Sequence, residues 1–216
     1  LQFLSSILKN NIITRVSEYP FEIEGKSFNR GSLVITRKSN EHMGDKFDEI
    51  VKEFAKRYNT NLVSVKSGLV SKGKDFGSSS MRIVKKPHVV LLSGEGTRSN
   101  SHGEIWHFFE QQIDYPISIF DVSMIDELPY ENIDVLIMPN GSYNSFYNEV
   151  IASEKIKEDT NADAILIDSP PEKLLQWVNS GGCLIVMGSA MNKFVDHAGY
   201  GLINYESKEA EEEARK

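Results

Sequence analysis

Two carboxylates, a histidine and two hydroxyls crowd into one short polar stretch: Glu95, Thr97, Ser99, His102 and Glu104. Side chains of these types supply general acids, general bases and hydrogen bonds to polar ligands. Asn140, Ser142 and Tyr143 follow a second apolar run, and Ser189 follows a third. Groups so far apart along the chain can act together only on a scaffold that brings three loops to one edge. A parallel α/β sheet does this, because ligands on such sheets bind beyond the carboxyl ends of the strands.

The stretch Lys86 to Phe109 reads as the first unit of that scaffold. His88 to Leu92 is a buried strand, a glycine-bearing polar loop follows, and Gly103 to Gln112 has helical spacing. A helix starting near Gly103 offers unpaired backbone N–H groups to a carboxylate or other anion. The plainer alternative assigns His102 and Glu104 to capping the helix, and Asn140 and Ser142 to a turn. Trp106, Phe108 and Phe109 read as packing residues. Strands over 117–120, 135–138 and 183–187, with a helix over 171–179, continue the alternation and predict a mostly parallel sheet with right-handed crossovers. Asn148 to Asp168 reads as an added helix and an irregular stretch.

The residues before Lys86 form another pattern. A helix over 1–10, a strand over 12–16, a hairpin over 21–28, a strand over 32–36, a helix over 45–58 and a strand over 61–65 are expected, then a polar loop over 66–80 that crosses to the second domain. The fold class is α/β: a small α/β unit over 1–80, a larger α/β domain over 81–205, and a charged helical tail over 206–216. The opening Leu1, Leu4, Ile7 and Leu8 have helical spacing with no basic leader, so the chain reads as a piece of a longer protein rather than one with a signal peptide.

Composition narrows the function classes. With 216 residues, 40% apolar and 25% charged, the chain can bury a real core in one or two domains. No apolar run approaches the roughly 20 residues that cross a bilayer. Cys183 is the only cysteine, which excludes an intrachain disulfide and a cysteine-built zinc site, and fits cytosol and periplasm equally. Residues 1–86 carry 16 Lys+Arg against 9 Asp+Glu, and residues 87–216 carry 8 against 22, so the halves are +7 and −14. That asymmetry supports a boundary near Pro87 and a favourable electrostatic contact between the parts. The basic residues are interleaved with acidic ones and form no aromatic-lined stripe, which argues against a nucleic-acid partner.

Six phrases occur in order: Phe28 to Ile35, Phe76 to Ser78, Leu92 to Thr97, Gly103 to Gln112, Asp134 to Tyr143 and Trp177 to Ile185. Together they resemble the region that follows the catalytic domain in large bacterial zinc carboxypeptidases of the carboxypeptidase A-like family. The resemblance covers nearly the whole chain. It implies a three-layer, mostly parallel sheet of the flavodoxin-like or class I glutamine amidotransferase-like kind. It also implies an exported, periplasmic or cell-surface protein whose peptidase domain and zinc lie before Leu1, with that domain and a peptide substrate as partners.

That family's chemistry has only partial counterparts in this sequence. A His-x-x-Glu spacing does occur, His107 to Glu110, with His197 downstream, but Phe108 and Phe109 fill positions a helix needs for packing. No metal site is expected in this chain. An amidotransferase nucleophile sits on a sharp strand-to-helix turn, and Ser189 occupies that place while Cys183 starts the strand at the opposite end. His197 and Asp196, being adjacent, make a poor base and orienting acid for Ser189. No catalytic residue is therefore assigned, and the expectation is a non-catalytic accessory domain that helps to place or recognise peptide. The alternatives are a small serine hydrolase and a peptide- or sugar-binding module using the same loops.

Overall fold

The computed structural model describes residues 1–144, the backbone of 147–149 and 166–168, and residues 170–195 and 199–202. It divides into two compact units, one of Leu1–Lys86 with Glu110–Tyr115, the other built on Pro87–Phe109 and the chain from Pro116 onward.

In the first unit, α1 (Gln2–Lys9) and α2 (Lys46–Arg57) present apolar stripes to each other. Phe3 and Ile7 pack with Phe47, Val51 and Phe54 in one buried cluster. Three short strands, β1 (Arg15–Ser17), β4 (Leu33–Val34) and β5 (Met81–Ile83), form an antiparallel sheet in the order β4-β1-β5. A hairpin joins β2 (Phe21–Ile23) to β3 (Lys26–Phe28). Its two turn residues, Glu24 and Gly25, both have positive φ, at 49° and 74°, the conformation that matches the twist of a tight hairpin. Asn40 is buried, and its amide is satisfied by the Ile13 N–H, the Ile13 carbonyl and the Thr36 carbonyl.

Three expectations change here. The sheet recruits Met81–Ile83, so the first unit runs on to Lys86 instead of ending at 80. The polar loop over 66–80 belongs to this unit, since Ser71 and Lys72 bond to Glu22 and Phe76 packs edge-on to Phe21. Among the described residues, 61–65 pair with no strand, although their composition favours one.

In the second unit, β6 (Val89–Ser93), β7 (Ser118–Asp121), β8 (Val135–Met138) and β11 (Cys183–Val186) form a four-stranded, all-parallel sheet in the order β11-β8-β6-β7. The helix α3 (Ser99–His107) links β6 to β7, and α4 (Glu172–Asn179) precedes β11. Numbered within this sheet the order is 2-1-3-4, so the chain steps to one side after β6 and to the other after β8. Alternation along the strands sends Val90, Leu92, Leu136 and Met138 into one cluster with Leu174 and Trp177 of α4. Trp177 donates its indole N–H to the Ile133 carbonyl at 3.2 Å, which satisfies its polar atom inside the core.

The strands over 89–93, 118–121, 135–138 and 183–186 and the helix over 172–179 lie where the spacing put them. The first helix starts at Ser99, four residues before Gly103, and ends in a π turn, Phe108–Gln112. Phe108 is 37% exposed and packs edge-on against Phe109. At the ends of the segment expected to hold an added helix, β9 (Tyr147–Glu149) and β10 (Leu166–Asp168) instead pair antiparallel. The rest of that segment, His197, Asp196 and the 206–216 tail lie outside the described residues.

Leu136 is fully buried on the central strand β8, so Leu136→Ala should cost about 2–5 kcal/mol in denaturant unfolding. Ile185 on the edge strand β11 is 43% exposed, and Ile185→Ala should stay within about 1 kcal/mol.

Candidate functional site

The strand order places a switch point between β6 and β8, where successive connections leave in opposite directions. In open parallel sheets the crevice forms there, outside the carboxyl ends of the strands. The second unit has an open cleft of about 740 Å³ at this place, lined by Thr97, Arg98, Ser99, Asn100, Ser101, Glu104, Asn140, Met187 and Gly188.

Asn140, the second residue after β8, holds the cleft together. Its carbonyl accepts the Arg98 N–H at 2.8 Å and its own N–H donates to Ser101 Oγ at 3.0 Å. Its Oδ1 accepts the Ser189 N–H at 3.0 Å and the Ser189 hydroxyl at 2.6 Å. A backbone N–H can only donate, so this pairing fixes which end of the amide faces Ser189. One residue thus ties the loops after β6, β8 and β11.

Glycine lets the first two loops meet backbone to backbone. Thr97 bridges Gly141, and the N–H of Ser142 reaches the Gly96 carbonyl at 2.7 Å. A Cβ on Gly141 would lie 2.1 Å from the Gly96 oxygen, and Gly96 has a φ of +88° that side chains seldom adopt. At the loop's start, Gly94 passes the Asp121 carboxylate, where a Cβ would come within 2.5 Å of Oδ2. Asp121 caps the turn that follows β7: the Ser123 hydroxyl and then the Ser123 N–H bond to its carboxylate and hold its pKa below the ordinary value.

Of the residues singled out in the sequence, the structure brings Thr97, Ser99, Glu104 and Asn140 to the cleft, with Ser189 bonded to Asn140. Thr97 Oγ1 donates to the Gly94 carbonyl at 2.7 Å, a turn role. Glu95 and Ser142 are exposed outside the lining. Tyr143 is buried in the core, with its hydroxyl donating to the Pro139 carbonyl at 2.7 Å, and burial pushes its pKa up. His102 is half-buried outside the lining, its Nε2 without a hydrogen-bond partner among the described residues. Sequence reasoning missed Arg98, Asn100, Ser101, Met187 and Gly188. The run Ser99-Asn100-Ser101 was the available signal, because such residues gather at helix starts.

Chemically, the cleft suits recognition. The N–H groups of Ser99, Asn100 and Ser101 begin α3 with no side-chain cap and no partner among the described residues, and Arg98 lines the same cleft. Such groups favour a carboxylate, and Glu104 is the acidic residue among those that line the cleft. Ser189 Oγ lies 2.6 Å from Asn140 Oδ1 and 3.0 Å from the Gly141 carbonyl, both acceptors, with no base among its bonded neighbours. Among the described residues no three His, Cys, Asp or Glu side chains converge as metal ligands, and His107 and Glu110 lack a third partner. Cys183 is exposed at the start of β11, at the far end of the strand from the cleft.

Compared with protein-family models, with characterised proteins and with solved structures, the chain finds no match.

Gly141→Ala should destabilise the second unit by about 1–3 kcal/mol in denaturant unfolding, since the added methyl meets backbone. Ser142→Ala keeps the backbone bond and should change stability by less than about 0.5 kcal/mol.

The Asp121 cap predicts a pH dependence. Its folded pKa is depressed, so its contribution is present above the unfolded value of about 3.9 and disappears as pH falls through the folded value. The stability gap between wild type and Asp121→Ala should be flat at neutral pH and close in acid. A gap that widens in acid would reverse the sign.

Proposed function

We propose that the chain is a non-catalytic accessory region of an exported bacterial zinc metallocarboxypeptidase, and that the cleft at the switch point helps to recognise the peptide. One observation carries the non-catalytic part. The Ser189 hydroxyl, at the place a nucleophile would take, is spent on Asn140 and the Gly141 carbonyl rather than on a base. A serine becomes nucleophilic only when a general base can accept its proton, and neither acceptor is one.

The family assignment is supported by the six ordered phrases, several of which now have physical roles. Leu92 to Thr97 contains the Gly94 and Gly96 turns, Asp134 to Tyr143 contains the Asn140 clamp and the Gly141 approach, and Trp177 to Ile185 contains the core indole and the β11 edge. The finer architecture we infer is a three-layer sheet of the flavodoxin-like, class I glutamine amidotransferase-like kind, supported by the 2-1-3-4 order and by α3 and α4 serving opposite directions of the winding. In this reading the zinc and its ligands belong to an upstream peptidase domain in the periplasm or at the cell surface. A peptide's terminal carboxylate is the group the uncapped start of α3 and Arg98 would recognise.

The test has two arms. The parent reading frame upstream of Leu1 should encode a His-x-x-Glu motif followed by a distant histidine, and a parent lacking them overturns the assignment. Treated with a fluorophosphonate probe, the purified chain should label no more than Ser189→Ala does. An adduct on Ser189 that is lost on His102→Ala or His107→Ala would establish an enzyme instead.

A further inference from the structure

The first unit has its own cavity, of about 370 Å³, unrelated to the cleft. It opens beside β4, the edge strand of the three-stranded sheet, between two apolar clusters. Phe3, Phe47 and Val51 line it from one cluster, and Phe21, Ile23 and Phe76 from the other.

On two sides of this cavity, backbone groups have no hydrogen-bond partner among the described residues. The β1–β4 ladder turns alternate residues of β4 toward and away from β1. Ser17 N–H reaches Ser32 O, and Arg15 sits opposite Val34, so the N–H and C=O of Leu33 and Ile35 point away from β1. Across the cavity run residues 61–65, which line it too. Their backbone makes no hydrogen bond among the described residues, although their alternating burial at Val63 and Val65 is that of a strand. A strand-like segment with no ladder, an open sheet edge and an apolar space shared by both make an empty strand position. A chain laid beside β4 would send alternate side chains into the two clusters, as the sheet's own strands do.

We propose that the first unit binds an extended peptide as an added β-strand beside Leu33–Ile35, its alternate apolar side chains filling the cavity and its flanks acidic. The acidic preference follows from charge: residues 1–86 carry net +7, and the cavity wall holds Arg37 and Lys52 against one carboxylate, Asp48, which pairs with Arg37 at 2.8 Å. Backbone pairing gives such a site its affinity and the side-chain pockets its selectivity. This inference rests on the first unit alone and stands or falls separately from the reading of the cleft.

The probe is a short acetylated peptide of alternating valine and threonine flanked by glutamates, carrying a fluorophore and added to the full chain. Anisotropy should show saturable binding, weakened about tenfold or more when alternate backbone amides are N-methylated or the flanks are changed to lysine. Amide hydrogen exchange should slow at Leu33, Ile35 and residues 61–65 when the peptide binds. No binding at millimolar peptide, binding indifferent to N-methylation, or protection of these amides before peptide is added would each overturn the proposal. Protection in the free chain would mean that residues 61–65 close onto β4 themselves.

Discussion

The geometry of the second unit's cleft depends on what one amide does. Asn140 spends its carbonyl on the loop after β6, its N–H on Ser101 of α3, and its side-chain oxygen on the turn after β11. Hydrogen bonds of this kind are each worth only about 1 kcal/mol net, but removing a shared partner leaves several groups unsatisfied at once. The parallel sheet brings three strand ends to one edge. Asn140 converts that proximity into a fixed arrangement of loops.

Close backbone approach is the condition for the clamp. Gly96 and Gly141 let the β6 and β8 loops touch without side chains between them, and Gly188, with a φ of +59°, would place a Cβ 2.7 Å from the Asn140 side chain. Glycine at these positions lets the Asn140 amide reach Ser189. The same contacts decide the chemistry. A serine held by an amide oxygen and a carbonyl has its proton directed at acceptors too weak to remove it, so the cleft is left with groups that recognise: the uncapped N–H groups of α3, a guanidinium and a carboxylate.

Much of the second unit was legible in the sequence because its strands are short apolar runs closed by turn residues, and the four parallel strands fall within a residue or two of where those runs lie. The helix start was misplaced because Gly103 looked like a boundary, while Ser99-Asn100-Ser101 carried the real one. Tyr143 looked like a site residue because it follows a strand in a polar run. Its positive φ of 48° turns it into the core, which spacing cannot reveal. The first unit was less legible. Residues 61–65 have the composition of a strand and were expected to be one, but pairing is a tertiary property, and among the described residues they join no ladder. Met81–Ile83 joined the first sheet through a register with β1 that no local pattern announces.

The central claim is that Asn140 and Ser189 are coupled as a structural pair. A double-mutant cycle of Asn140→Ala and Ser189→Ala, read by denaturant unfolding, measures that coupling directly. The account predicts an interaction energy of about 0.5–3 kcal/mol, with Asn140→Ala the costlier single change because it also strands the Ser189 N–H. Costs that add to within about 0.3 kcal/mol would show that Ser189 is not held by Asn140, and would return its hydroxyl to the pool of candidate nucleophiles.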